Sequence, residues 1–344
     1  MVAVDLFSDT VTRPTAPMRH FMWDADVGDE QLREDPTVNL LQDMVAELLG
    51  KEAALFLPSG TMCNQVAFAV HCRAGDEILL QENAHPLLYE VGGPAALIGA
   101  VLRPLAGPHG LYTEEQVRQA IRPPAYYMPR TRAVSVEQTS NVAGGICWPL
   151  SQIDAVCAAA HAAGLVTHMD GARLLNAVVA SGTSASRFAA AFDSVWIDLS
   201  KGLGAPIGAV LAGDRDFIEE SWRYKQRFGG ALRQAGIIAA AGVYALRHHV
   251  ERLAEDHARA RELALGLAEV AGIALDPARV ETNIVIFDVA GTRLTGDQFA
   301  ERALAQGVRF SVLGPTMVRA VTHLDVPADG VERALRAVRA AAQA

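Results

Sequence analysis

Two polar side chains that end apolar segments could together support chemistry on an amino group. Lys201 follows the apolar segment 194–199 and precedes a glycine-rich run, and this setting favours a neutral amine that can attack a carbonyl carbon. Asp170 ends an earlier apolar segment, where a carboxylate needs a positive partner such as a protonated pyridine nitrogen. A solvated lysine and a helix cap are the alternatives for the two residues.

Further positions suit a phosphate group and an aromatic ring. Gly60 and Thr61 begin a predicted helix directly after the apolar segment 53–57, and a helix N-terminus attracts phosphate through its free N–H groups and its dipole. Ordinary helix capping is the alternative for this pair. His85 follows the apolar segment 77–80 and could stack on a cofactor ring or transfer a proton, whereas a loop histidine without a function is the alternative.

The apolar segments before these residues alternate with segments of helical spacing, which is typical of a parallel sheet covered by helices. Because ligands bind at the carboxyl ends of such strands, these positions would share one rim of the sheet. The predicted strands are 53–57, 77–80, 132–136, 166–169 and 194–199, and the predicted helices are 36–50, 60–72, 113–121 and 151–163, the last with Ser151 as its N-cap.

The length of 344 residues and a change of pattern predict two domains. We place a large α/β domain at residues 1–250 and a small α+β domain at residues 251–344. The N-terminal segment 1–14 is expected to pack on the small domain. A long helical stretch, 234–267, is predicted to break near Val250, and it is followed by strands 283–289 and 317–322 and helices 296–306 and 331–342.

Composition and charge argue against several classes of partner. The formal net charge is −9 and no run of Lys and Arg forms a stripe, so we expect no nucleic-acid partner. No apolar stretch is long enough to span a bilayer and no signal peptide is recognisable, so we expect a cytoplasmic protein without a membrane partner. The four cysteines lack metal-ligand spacing, which indicates reduced thiols and no metal site.

Several motifs together resemble the low-specificity L-threonine aldolases, a family of pyridoxal-phosphate enzymes, over nearly the whole chain. The resemblance implies an aspartate aminotransferase-like fold of fold type I, with a mostly parallel central sheet and a smaller C-terminal α+β domain. The two most specific stretches are Met-Asp-Gly-Ala-Arg at 169–173 and Ser-Lys-Gly-Leu-Gly-Ala-Pro-Ile-Gly at 200–208. The others are residues 5–12, 28–30, 58–62, 233–236 and 318–323.

The resemblance also implies how the chain would hold its cofactor, pyridoxal 5'-phosphate. Lys201 would form a Schiff base with it, and Asp170 would pair with the pyridine nitrogen. Arg173 would lie near the phenolic oxygen, and His85 would stack on the ring. A homo-oligomer is implied, a dimer of dimers with active sites at a subunit interface. The phosphate would be held by Gly60, Thr61, Ser200 and, from a neighbouring subunit, Arg233.

On the substrate side, the resemblance assigns Ser8 and Arg319 to the substrate carboxylate, which a guanidinium group can hold through two hydrogen bonds. The sequence departs from the family there. Tyr127 stands where the family usually has a second active-site histidine, and Gln226 stands where it tends to have a lysine. Residues 137–141 read Glu-Gln-Thr-Ser-Asn instead of Glu-Asn-Thr-His-Asn.

The implied reaction is the retro-aldol cleavage of L-threonine, L-allo-threonine and related L-β-hydroxy-α-amino acids to glycine and an aldehyde. The base that removes the β-hydroxyl proton stays open among His85, Tyr127 and a bound water. The alternatives on the same scaffold are β-elimination, transamination and cleavage of a larger β-hydroxy amino acid such as phenylserine. A non-catalytic module that only binds pyridoxal phosphate is a third reading.

Overall fold

The computed structural model describes residues 2–343, and a sheet of seven strands lies at its centre. None of the helices in this range has the length and apolar character needed to span a bilayer. The strands are β1 (Val4–Asp5), β2 (Ala53–Leu57), β3 (Asp76–Gln81), β4 (Val101–Leu105), β5 (Arg130–Glu137), β6 (Val166–Gly171), β7 (Ser194–Asp198), β8 (Ala209–Gly213), β9 (Ile284–Asp288), β10 (Val308–Arg309), β11 (Ser311–Val312) and β12 (Met317–Val321). The helices are α1 (Ala16–Trp23), α2 (Pro36–Leu49), α3 (Gly60–His71), α4 (His85–Leu88), α5 (Glu114–Ala120), α6 (Leu150–Ala162), α7 (Leu174–Ser181), α8 (Ala185–Ala189), α9 (Arg215–Arg227), α10 (Gly236–His248), α11 (Leu253–Ala268), α12 (Gly296–Ala305) and α13 (Gly330–Gln343).

The central sheet has the strand order β2-β8-β7-β6-β5-β3-β4. Strand β8 runs antiparallel to its neighbours β2 and β7, and every other pair is parallel. All residues of β7 and β8 are buried, as expected for strands covered by helices on both faces. The predicted α/β architecture with a mostly parallel sheet is therefore confirmed. The carboxyl ends of β2, β3, β5, β6 and β7 reach one edge of the sheet.

The sequence pattern does not predict two strands of this sheet, β4 and β8. Strand β4 contains Pro104, which cannot donate a backbone hydrogen bond, and it is tolerated because β4 is an edge strand. Strand β8 is a short run of small and aliphatic residues after the glycine-rich loop. Such a run carries no periodicity that separates a strand from that loop.

The helix starts follow local capping, with one correction. Thr113 caps α5 and Gln116 returns a hydrogen bond to its backbone, as the predicted N-cap requires. Helix α6 begins at Leu150 with Pro149 in the N-cap position, so the predicted N-cap Ser151 is wrong. The fixed φ angle of Pro149 brings the chain into the helix before Ser151 is reached.

A second hydrophobic core lies in the C-terminal part of the chain. Strands β11, β12 and β9 form a small antiparallel sheet, and its core includes apolar side chains of α11, α12 and α13. Strand β1 pairs in parallel with β10, so the N-terminal segment joins this second core. The helical stretch breaks between α10 and α11, close to residue 250. The division of the chain into two domains at that point stays a prediction.

Candidate active site

A cavity of about 540 Å³ lies at the edge of the central sheet where the parallel strands end. The other side of the cavity is formed by the N-terminal segment and by β11 and β12 of the small sheet. The cavity therefore lies between the two hydrophobic cores, as expected for an α/β fold. Its lining residues are Phe7, Ser8, Thr10, Ser59, Gly60, Thr61, His85, Tyr89, Glu137, Asn141, Asp170, Ala172, Arg173, Trp196, Asp198, Ser200, Lys201, Ser311, Val312, Leu313 and Arg319.

Lys201 lies just beyond β7, and its side chain is 18% exposed. Its Nζ is 3.1 Å from Oδ2 of Asp198 and 5.8 Å from the centre of the Trp196 ring. Gly204 follows with a φ of 75°, a left-handed conformation that favours glycine, and its N–H donates to the carbonyl of Lys201 at 2.9 Å to close a turn. Sequence reasoning missed Asp198, although it ends the same strand three positions before Lys201.

Asp170 is the last residue but one of β6 and is 1% exposed. Its Oδ2 accepts a hydrogen bond from Asn64 at 2.8 Å, and its Oδ1 accepts one from the backbone N–H of Ala172 at 3.1 Å. Helix α7 begins only at Leu174, so Asp170 is not its N-cap. Burial raises the pKa of Asp170 above its ordinary value, although the nearby His85 and Lys201 oppose the shift. Within residues 2–343, no cationic side chain forms an ion pair with the Asp170 carboxylate.

A second buried carboxyl group, that of Glu137, lies beside Asp170. The two residues are direct partners across the parallel pair β5–β6. Glu137 accepts hydrogen bonds from the backbone N–H groups of His85, at 3.0 Å, and Asn141, at 3.2 Å. Burial and the charge of Asp170 raise the pKa of Glu137 to about 7. Sequence reasoning gave Glu137 no role, although its place at a strand end is the signal that singled out Asp170.

His85 begins the short helix α4 at the cavity wall. Its Nδ1 is 2.9 Å from Oε1 of Glu90, a fully buried side chain. Burial alone would favour the neutral ring, but the hydrogen bond to Glu90 and the charge of Asp170 raise the pKa of His85 above its ordinary value. The ring of Tyr89 lies 5.5 Å away, and Tyr89 also lines the cavity. No pattern in the sequence distinguishes Glu90 or Tyr89.

The N-terminus of α3 faces the cavity with Gly60 and Thr61. The hydroxyl of Ser59 caps the helix by accepting the N–H of Met62 at 3.2 Å. A Cβ atom on Gly60 would lie 2.3 Å from the Trp196 ring, so only glycine fits this close approach. Ser200, which also lines the cavity, donates both its N–H and its hydroxyl to Asp198, at 2.7 and 2.8 Å.

Two arginines lie at the end of the cavity nearest the small sheet. Arg173 forms a two-pronged ion pair with Asp9, with N–O distances of 2.8 and 2.6 Å, and both side chains are buried. Burial opposes ionisation of Asp9, but Arg173 holds the pKa of its carboxyl group well below the ordinary value. Arg319 reaches in from β12, and its guanidinium contacts Asn141 at 3.0 Å and Ser311 at 3.1 Å. Sequence reasoning missed Asp9, which adjoins the predicted Ser8.

Two of the predicted site residues do not line this cavity in the single chain. Tyr127 is 86% exposed, in the loop between α5 and β5. The side chain of Arg233 is 63% exposed and pairs with Asp29 at 2.9 Å. Both residues are accessible to a second copy of the chain. Next to Gln226, which stands where the family tends to have a lysine, Lys225 is fully buried. Its Nζ is 2.9 Å from Oε2 of Glu30.

The remaining predicted residues do converge on one cavity, where a lysine amine lies at the edge of the sheet of an α/β protein. Residues 5–291 match the model of the beta-eliminating lyase family. The low-specificity L-threonine aldolase 1 of Arabidopsis thaliana is 38% identical over 340 residues, which cover 97% of this chain and 95% of that protein. The low specificity L-threonine aldolase of Escherichia coli strain K12 is 41% identical over 324 residues, 94% of each protein.

A solved structure, the threonine aldolase of Leishmania major, has the same fold, with a TM-score of 0.85 at 18% identity over 98% of both chains. The chain belongs to the beta-eliminating lyase family and, within it, to the low-specificity L-threonine aldolases. The resemblance and the predicted fold class are therefore confirmed.

Proposed function

We propose that the chain is a pyridoxal-phosphate-dependent aldehyde-lyase that cleaves L-threonine, L-allo-threonine and related L-β-hydroxy-α-amino acids to glycine and an aldehyde. The observation that carries the proposal is the convergence of Lys201, Asp170, the N-terminus of α3 and Arg319 on one cavity. The relatives that bear the name of this activity span nearly the whole chain, which supports the same conclusion.

The cavity fits pyridoxal phosphate on its own chemistry. Asp170 is buried without a full cationic partner, which suits a protonated ring nitrogen. Gly60 and Thr61 offer the N-terminus of a twelve-residue helix to a phosphate group. The amine of Lys201 lines the same cavity. When bound, the cofactor supplies a carbonyl group for amines and an electron sink for the cleavage of bonds at the substrate's Cα atom.

The chain's own residues then divide the remaining tasks. We assign Arg319 and Ser8 to the substrate carboxylate, since Arg319 brings a guanidinium fork to the cavity. Asp198, whose Oδ2 is 3.1 Å from Nζ of Lys201, can position the amine of that lysine. We assign His85 to the face of the cofactor ring. The base for the β-hydroxyl group stays open among His85, Tyr127 and a bound water.

The first experiment identifies the cofactor and the reaction. Purified protein should have a visible absorption band that borohydride removes, and digestion should then locate a pyridoxyl group on Lys201. Lys201→Ala should lose the covalent link. Aldehyde should form from L-threonine, L-allo-threonine and phenylserine. A pyridoxyl group on another lysine would contradict the assignment.

A second reaction, β-elimination, is favoured by the description of the matching family model. It releases ammonia and a keto acid from the same substrates, whereas aldol cleavage releases glycine and an aldehyde. Assaying all four products in one experiment separates the two reactions. Keto acid without aldehyde would favour β-elimination.

We also propose a homo-oligomer, a dimer of dimers, in which Arg233 binds the phosphate of a neighbouring subunit. The exposure of Arg233, outside its own cavity, supports this role. Activity of a monomer, demonstrated by light scattering at the assay concentration, would contradict it. A cytoplasmic location is part of the proposal, and cell fractionation tests it.

Tyr127 is proposed to reach the substrate in the same oligomer, where it would donate a hydrogen bond near the β-hydroxyl group. The phenolic O–H can donate such a hydrogen bond and so orient the substrate. Tyr127→Phe should change the ratio of rates for threonine and its allo isomer, whereas His85→Ala should reduce both. Unchanged ratios would show that Tyr127 only packs in the loop.

A further inference from the structure

A buried side-chain amide, that of Asn64, lies between two carboxylates behind the cavity. Asn64 is fully buried on α3, one turn after Gly60, so both residues belong to the helix face that meets β7. Its Nδ2 is 2.8 Å from Oδ2 of Asp170 and 2.7 Å from Oε1 of Glu90. The two N–H bonds of one amide group therefore go to two different carboxylates.

The orientation of this amide is fixed from the opposite side as well. Nε1 of Trp196 is 2.7 Å from Oδ1 of Asn64, and an indole nitrogen can only donate. Nε2 of His168 is 3.1 Å from the same oxygen. Burial lowers the pKa of His168 to about 3, so the ring is neutral, and its Nδ1 can accept from Ser194 at 2.8 Å while Nε2 donates to Asn64. A reversed amide would oppose donor to donor and oxygen to carboxylate.

The two carboxylates that share the amide serve different parts of the site. Asp170 points into the cavity, where the ring nitrogen of the cofactor is proposed to bind. Glu90 is paired with Nδ1 of His85 at 2.9 Å and also accepts a hydrogen bond from Gln65. Both carboxylates accept a hydrogen bond from the same neutral amide, which fixes their positions relative to each other.

We propose that Asn64 is a positioning residue of the active site. Its amide, oriented by Trp196 and His168, holds Asp170 toward the ring nitrogen of the cofactor and Glu90 toward the imidazole of His85. The positions of Asp170 and, through Glu90, of His85 thereby depend on one side chain that contacts neither the cofactor nor the substrate. The inference rests on the proposed function, because Asp170 has this task only if pyridoxal phosphate binds.

The test compares two substitutions of Asn64 with the same two at a matched buried asparagine. Asn176 is 4% exposed on α7, and its Nδ2 is 3.1 Å from Nε2 of His257, so its amide pairs with an imidazole and not with either carboxylate. Each variant is purified with its cofactor bound. The rate of cofactor release on dilution and the pH at which the visible band changes are then measured. The variants are Asn64→Leu, Asn64→Asp, Asn176→Leu and Asn176→Asp.

Both Asn64 variants should release the cofactor at least about tenfold faster than the wild type, because Asp170 and Glu90 each lose a charge-assisted hydrogen bond. Asn64→Asp should also move the pH midpoint of the visible band upward by about half a unit or more, since a third carboxylate favours the protonated form of the cofactor. The Asn176 variants should match the wild type in both measurements, even if they melt at a lower temperature.

Suppose that the wild type carries reducible cofactor on Lys201. If the Asn64 variants then behave like the Asn176 variants in both measurements, this proposal is overturned and the proposed function stays intact. A wild type that carries no reducible cofactor would overturn the proposed function instead. If Asn64→Asp does not fold, the rate of cofactor release from Asn64→Leu decides the question.

Discussion

Asp170 shows how much a single side chain in this protein depends on its surroundings. Its carboxylate is buried, receives two hydrogen bonds from neutral donors and has a raised pKa. A positive charge brought close to it is therefore stabilised strongly, because little water competes for the carboxylate. This setting is the physical reason for assigning it to the ring nitrogen.

Asp170→Asn should lower turnover at least about 100-fold, in the range of other lost electrostatic stabilisers. The amide has the same shape but cannot neutralise a protonated ring nitrogen. Turnover with L-threonine is the measurement, and retention of the visible band shows that the variant still folds. Asp154→Asn, at an exposed ion pair with Arg187, is the control and should be unaffected. Near-normal turnover of Asp170→Asn would remove Asp170 from the mechanism.

Arg319→Ala should weaken the apparent affinity for amino acids while leaving the cofactor's spectrum unchanged. Truncating one member of a buried charge pair costs about 2–5 kcal/mol, which corresponds to a factor of about 30 or more. The apparent affinity is measured by titrating glycine or L-threonine against the visible band. Arg336→Ala, on the exposed face of α13, is the matched control. An unchanged affinity in Arg319→Ala would place the carboxylate site elsewhere.

The position of helix α3 relative to strand β7 sets the shape of the cavity floor. The contact between them consists of Gly60 against the Trp196 ring and of Asn64 hydrogen-bonded to its indole nitrogen. Glycine allows the helix N-terminus to approach the strand, which brings its free N–H groups next to Lys201.

Gly60→Ala should push the N-terminus of α3 away from β7, since the new Cβ atom would lie 2.3 Å from the Trp196 ring. We expect cofactor release at least about tenfold faster, from loss or lengthening of the phosphate hydrogen bonds. Gly314→Ala is a suitable control, because a Cβ atom there meets nothing closer than 3.9 Å. Equal release rates in the two variants would mean that the close approach has no role in cofactor binding.

Ionisable groups that are buried between the two hydrophobic cores affect the stability of the whole molecule. Glu137 illustrates this effect, because its pKa is raised to about 7 from an ordinary value of 4.5. Between these pH values the folded protein holds a proton that the unfolded chain has released. The free energy of unfolding therefore falls as the pH rises through this window.

Glu137→Gln should make the fall in stability between about pH 4.5 and 7 shallower, because the amide has no proton to release. Melting temperatures of the cofactor-loaded wild type and variant across this range are the measurement. Glu115→Gln, at an exposed position of α5, should keep the slope of the wild type. A slope that does not change in Glu137→Gln would show that Glu137 is already ionised throughout the range.

Local patterns in the sequence predict most of the helices and strands. Strand β2, helix α3 and the break between α10 and α11 follow from apolar periodicity and from caps, which act over a few residues. Lys201, Asp170, Gly60 and His85 could be singled out because each lies at or shortly after the end of an apolar segment. Their common edge follows from the general rule that parallel strands end on the same side.

Folding in three dimensions supplied the groups that orient these residues. Asp9 reaches Arg173, Asn64 reaches Asp170, and Glu90 reaches His85 only after distant segments have packed, so no short-range pattern indicates these pairs. The same is true of β8, whose antiparallel place in the sheet depends on its neighbours β2 and β7. Periodicity reports which face of a segment is buried, but the partner that a buried polar group finds is set by long-range packing.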